Sequence, residues 1–135
     1  MFTWPVRVYY EDTDLGGVVY YANYLKFLER ARTEWLRSLG VHQSVLMDEA
    51  RLIFVIVRAQ LAYLSPARFD DLLCVTAALA SSRRTTMTFD QAIHRGDPTG
   101  PRLVTGTVEA ACVDADSFRP RPIPNDILAA MERAS

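Results

Sequence analysis

Residues 21–40 read YANYLKFLERARTEWLRSLG. Within them Tyr24, Phe27, Leu28, Ala31, Trp35 and Leu39 recur at spacings of three and four, which lines one face of an α-helix with apolar side chains. Lys26, Glu29, Arg30, Glu34 and Arg37 fall mostly on other faces, and Arg30 and Glu34 stand at the i,i+4 separation of a surface ion pair. Gly40 supplies the left-handed residue that ends such a helix. One long amphipathic helix is therefore expected from about Tyr21 to Gly40.

On its N-terminal side, Thr3–Tyr10 alternates Val6, Val8 and Tyr10 with Pro5, Arg7 and Tyr9, the period of a strand. Four further strands are expected on the C-terminal side: Leu52–Leu64, Leu72–Ala80, Thr85–His94 and Arg102–Val113. Ser65-Pro66-Ala67-Arg68 separates the first two, and the Gly/Pro-rich loop Arg95–Pro101 precedes the last. Arg119–Pro124 has too many prolines for a ladder strand, and a short helix is expected over Asp126–Arg133 with Asn125 as its cap. Strands grouped after one helix, rather than alternating with helices, predict an α+β fold: one long helix against a five-stranded antiparallel sheet. At 135 residues, the whole chain 1–135 is one domain.

Half of the residues are apolar, and 15 basic residues balance 16 acidic ones to a net charge of −1. That balance argues against a nucleic-acid partner and against a polybasic membrane patch. Cys74 and Cys112 lie in apolar stretches, as buried thiols in a reducing compartment do. Met1–Val6 lacks a signal-peptide pattern. Leu52–Leu64 is too short for a membrane span and carries Arg58 and Gln60. A soluble, cytoplasmic protein is expected. The two histidines, His42 and His94, form no cluster of metal-ligand spacing. No Gly-x-Ser-x-Gly elbow, dinucleotide fingerprint or phosphate loop occurs, so no metal and no cofactor are expected.

The segment before the helix, YEDTDLGGVVYYANY at 10–24, is rich in carboxylates, then in glycine, then opens the helix. Two readings fit these residues. Asp12, Thr13 and Asp14 can be turn formers beside a bend at Gly16-Gly17. Alternatively, the segment holds a carboxylate near the free N–H groups of a helix start, where a developing oxyanion is stabilised.

The stretch Val8–Asp14, with Gly17–Tyr20 and Asn23-Tyr24, resembles the signature of the 4-hydroxybenzoyl-CoA thioesterase family of hotdog proteins, and within it the YbgC type associated with the Tol–Pal system. The likeness continues through Glu29–Glu34 and resumes at Ala62–Leu73, so it spans nearly the whole chain in one register. The resemblance implies a hotdog fold, acyl-CoA as substrate, coenzyme A as part of that substrate, and a site at a homodimer interface, with dimers pairing into a homotetramer in many members. It places the catalytic carboxylate on Asp14, the helix N–H aimed at the thioester carbonyl on Tyr21, and a close approach at Gly17. Tyr20, Asn23 and Tyr24 are implied substrate-binding residues at the helix opening, and Arg83 and Arg84 would hold the nucleotide phosphates. Many YbgC-type chains have His where this one has Tyr21, which leaves a backbone role intact. Tyr20, Tyr24, Phe27 and Trp35 could line an acyl tunnel or simply be core. His94 reads as a surface strand-end residue before it reads as a proton donor. Arg119 and Arg121 could meet phosphate or another subunit. Two other functions compete: a binding partner or scaffold for acyl carrier protein, and a hotdog hydratase, which usually pairs a His with its carboxylate.

Overall fold

The computed structural model describes residues 1–135. In chain order its elements are β1 (Phe2–Arg7), α1 (Tyr24–Ser38), α2 (Gln43–Val45), β2 (Leu52–Tyr63), β3 (Leu72–Ser82), β4 (Thr86–Arg95), β5 (Arg102–Asp114) and α3 (Asn125–Ala134). The five strands form one antiparallel sheet in the order β1-β3-β4-β5-β2. This is the α+β arrangement expected from the periodicities.

The sheet closes on α1 through two apolar clusters. Phe27, Leu28 and Ala31 pack with Val8, Val75, Ile93, Val104 and Val108. One turn further on, Trp35 and Leu36 pack with Met87, Phe89 and Ala110, and α3 adds Ile127 and Met131. Trp35 meets Phe89 edge-on at 6.1 Å, the geometry that sets a ring's positive edge against a negative face. Gly106 in β5 lets α1 approach: a Cβ there would lie 3.1 Å from Leu28 Cδ1.

β2 is an edge strand, and its register with β5 shifts between Ile56 and Arg58. Val57 is the extra residue of a bulge, which resets which side chains face inward. Phe54 and Leu61, an odd number of residues apart, therefore both pack toward the core. That reset is why Leu52–Leu64 shows no clean alternation in the sequence.

Several local expectations are corrected. β1 ends at Arg7, because Tyr10–Asp12 turns into a 3-10 helix and carries Tyr10 out to solvent. The long helix opens with a 3-10 turn over Tyr21–Asn23 before α1 proper. Arg30 lies over the Phe27 ring at 5.8 Å, and Glu34 pairs with Arg37 instead. Residues Gln43–Ala50, for which no element was expected, form α2 and a π-helical turn closed by Arg51 at φ 54°. Asn125 is the first residue of α3 rather than its cap, with Pro124 before it. Cys74 and Cys112 are buried and free, and no helix is long and apolar enough to cross a membrane.

Candidate active site

The chain between β1 and α1 folds into a tight hairpin. Asp14 N–H donates to Val18 O and Gly17 N–H to Asp14 O, both at 3.0 Å, while Thr13 bridges to Val19. Gly17 sits at φ +77°, a conformation that a Cβ disfavours. The Asp14 carboxylate is exposed and held at one end: Oδ1 accepts the Gly16 N–H at 3.0 Å, and Oδ2 has no partner in the chain.

The hairpin is fastened from two sides. Val19 N–H donates to Ala67 O at 2.8 Å and Phe69 N–H to Gly17 O at 3.2 Å, so the turn before β3 cradles it. Arg95 stiffens that turn by donating to Asp71 at 3.1 Å and to the Pro66 carbonyl at 2.9 Å. On the other side lies Asp12, only 6 % exposed. Its Oδ2 accepts the Tyr9 N–H at 2.8 Å and its Oδ1 accepts the Asn23 side-chain amide at 2.6 Å. Its own carbonyl accepts the Tyr20 N–H at 2.9 Å. Asp12 thus ties the hairpin to the helix opening, so Asn23 turns its amide to Asp12.

The helix opening carries the other expected residues. Tyr20 precedes the 3-10 turn in extended conformation, and Tyr21 begins it. Asn23 N–H bonds back to Tyr20 O, whereas the Tyr21 N–H makes no bond within the chain. It is one of the orphan donors of a helix start, at the positive end of the dipole. Tyr63, at the end of β2, donates its hydroxyl to Tyr21 O at 3.2 Å and meets the Tyr21 ring edge-on at 6.3 Å. The Tyr20 hydroxyl is pushed above its ordinary pKa by its hydrogen bond with Tyr21. Tyr24 is buried and accepts the Ala67 N–H at 3.1 Å. Burial also raises its pKa. It joins the helix to the β3 turn.

Asp14, Gly17, Tyr20 and Tyr21 therefore lie together at one end of the sheet, with Asn23 and Tyr24 beneath them. Arg83 and Arg84 lie elsewhere. They are exposed in the β3–β4 hairpin, and the 11 residues of β3 separate that hairpin from the Asp14 end, a span of roughly 35 Å at strand rise. His94 is not a surface residue: it is 8 % exposed, and its Nδ1 donates to Gly100 O at 3.0 Å. Arg121 braces its own chain, donating to Ala50 O at 2.9 Å. Asp12 is the site-shaping residue that reading the sequence missed. Its signal was the spacing Tyr9-x-x-Asp12, in which a carboxylate reaches back to the N–H that opens its own turn.

A model of the thioesterase superfamily matches residues 16–101 of the chain. The chain is 44% identical over 129 residues to the acyl-CoA thioesterase YbgC of Haemophilus influenzae, covering 96% of this chain and 93% of that protein. It is 46% identical over 129 residues to the acyl-CoA thioester hydrolase YbgC of Escherichia coli, covering 96% and 94%. Among solved structures, a probable thioesterase from Bartonella henselae superposes with a TM-score of 0.84 at 34% identity, over 90% of this chain and 98% of that one.

Proposed function

The chain belongs to the thioesterase superfamily, and from that premise we propose that it hydrolyses acyl-CoA to a free acid and coenzyme A with Asp14 as the working carboxylate. The observation that carries this reading is one loop that presents both chemical parts: a carboxylate with a free oxygen and an orphan helix N–H. The thioester carbonyl oxygen accepts the Tyr21 N–H, which stabilises the oxyanion formed as the carbon becomes tetrahedral. Asp14 either takes the proton of an attacking water or adds to the carbon itself to form an anhydride that water then opens. On either route the C–S bond breaks and coenzyme A leaves as a thiolate, which is stable enough to leave before it is protonated. Gly17, without a side chain, lets the thioester lie against the backbone.

The site works in a homodimer. Asp14 and the Arg83-Arg84 hairpin stand at opposite ends of one sheet, too far apart for one coenzyme A to reach both. β2 offers a free edge carrying Ile56 and Val57, 49 % and 55 % exposed, and such an edge invites pairing. Two β2 strands paired antiparallel about a two-fold axis bring the arginines of one subunit to the Asp14 end of the other. A cytoplasmic location belongs to this reading, and a tie to the Tol–Pal system rests on the YbgC-type resemblance alone.

The test is thiol release from short, long and aromatic acyl-CoAs by the wild type and by Asp14→Asn. Loss of about a hundredfold or more in the mutant, at unchanged melting temperature, is expected. Equal activity in folded Asp14→Asn removes the assignment. If the wild type releases no thiol from any substrate, the chain is instead an acyl-carrier-protein partner or scaffold.

A further inference from the structure

A groove of about 590 Å³ runs along the side of α1 that faces β2. Leu25, Glu29 and Arg32 form its helical wall, opposite Ile56, Ala59 and Val108. Positions 25, 29 and 32 share one helix face, and Tyr21 lies one turn before Leu25. The groove therefore begins beside the amide that receives the thioester carbonyl and leads to Arg32.

Arg32 has an unusual environment for an arginine. Its Nη1 donates to Gln91 Oε1 at 2.9 Å, and no carboxylate of the chain lies within ion-pair distance. Gln91 is itself fixed, because its amide donates to Leu28 O at 3.1 Å and Thr76 O at 3.2 Å. The one partner of the guanidinium is thus a neutral oxygen locked in place. Burial pulls the Arg32 pKa below its ordinary value, which the nearby Glu29 partly offsets. Lys26 and Arg30 also line the groove, so three cations face the single carboxylate of Glu29. A partly desolvated guanidinium with unused donors matches a carboxylate in both charge and geometry.

Length is set by the helix. Eleven residues separate Tyr21 from Arg32, about 16 Å at 1.5 Å per residue. Side chains on a helix lean back toward its N-terminus, which leaves roughly 10 Å between the amide and the guanidinium. An extended chain advances about 1.25 Å per carbon, so about eight carbons fill that distance.

We propose that this groove takes the acyl chain and that Arg32 selects acyl groups ending in a second carboxylate about eight carbons from the thioester. The proposal rests on the thioesterase reading above. A second copy paired on β2 would roof the groove and keep water from Arg32.

The experiment compares kcat/KM for octanedioyl-CoA and octanoyl-CoA, with succinyl-CoA and butyryl-CoA as short controls, in the wild type, Arg32→Gln and Arg32→Lys. The wild type is expected to favour octanedioyl-CoA over octanoyl-CoA by about tenfold or more and to show no such preference between the short pair. Arg32→Gln should lose the preference mainly through KM on the diacid, leave octanoyl-CoA within about threefold, and be partly rescued in Arg32→Lys. A wild-type preference for octanoyl-CoA overturns the proposal, and that comparison needs no variant to fold. Equal losses on both substrates, or dissociation of Arg32→Gln to monomers in light scattering, also overturn it, by making Arg32 structural or neutralised by the partner. Absence of thiol release from all four substrates would instead remove the parent thioesterase reading.

Discussion

Asn23 donates a 2.6 Å hydrogen bond to the buried carboxylate of Asp12, joining the first turn of the helix to the hairpin that carries Asp14. Removing either partner leaves the other buried and under-satisfied. Asn23→Ala and Asp12→Ala should each lower stability by about 1–3 kcal/mol in chemical denaturation. Turnover should fall as well, although Asp14 and the Tyr21 amide remain. Unchanged kcat in either folded variant would show that the tie does not position the site.

The Tyr21 donor can be deleted without its neighbours. Proline is tolerated at the first helical position, where its missing N–H has no helical partner. Tyr20 is already extended, at ψ 131°, as the residue before a proline prefers. Tyr21→Pro should keep the circular dichroism spectrum and lower kcat by on the order of a hundredfold to a thousandfold. Tyr21→Phe, which keeps the amide, should stay near wild type. The reverse order would move the role from backbone to side chain.

Gly17→Ala forces a side chain onto a residue at φ +77°. The expected cost is about 1–2 kcal/mol of stability, together with lower turnover because the methyl group occupies the thioester's approach. A melting temperature equal to wild type would mean that the hairpin relaxes to another turn.

Mixing tests the two-subunit site. Asp14→Asn and the double variant Arg83→Glu/Arg84→Glu should each be poor enzymes alone. Co-refolded in equal amounts, half the dimers are mixed, and each mixed dimer regains one intact site, so about a quarter of wild-type activity should return. No recovery would put both elements of each site on one chain.

Tyr24 sets an alkaline limit. Burial raises its pKa in the folded state above the ordinary value of 10.0, so the folded chain binds that proton more tightly than the unfolded chain. The resulting stability is fully present below pH 10 and is lost as pH rises through the folded value. Tyr24→Phe should remove that alkaline decline in denaturation curves. At neutral pH it should cost about 1–3 kcal/mol, because the Ala67 N–H loses its acceptor. A decline of the same slope in both proteins would assign it to another group.

Where a pattern was local, the sequence revealed it. The spacing of Phe27, Leu28, Ala31 and Trp35 gave the helix face that the sheet covers, and the family likeness at Asp14 and Gly17 led to the hairpin. What was not legible depended on distant partners. Nothing local says that Asp12 is buried, since its partner Asn23 meets it only after the hairpin closes. His94 reads as a surface residue until the Gly100 carbonyl folds over it. The Val57 bulge hid the alternation of β2, and the distance from Arg83 to Asp14 follows from strand order, which periodicity does not encode.

Gly106 gives the site a remote adjustment point. Its bare backbone lies under Leu28, where one added methyl group would come within 3.1 Å of the leucine. α1 is a stiff rod, so a push at its middle is shared by both ends, and Tyr21 rides on one of them. Small side chains exchanged at this one strand position could therefore retune turnover, and with it the fit of acyl groups along the groove. Lineages could change substrate there while every residue that touches the thioester stays the same.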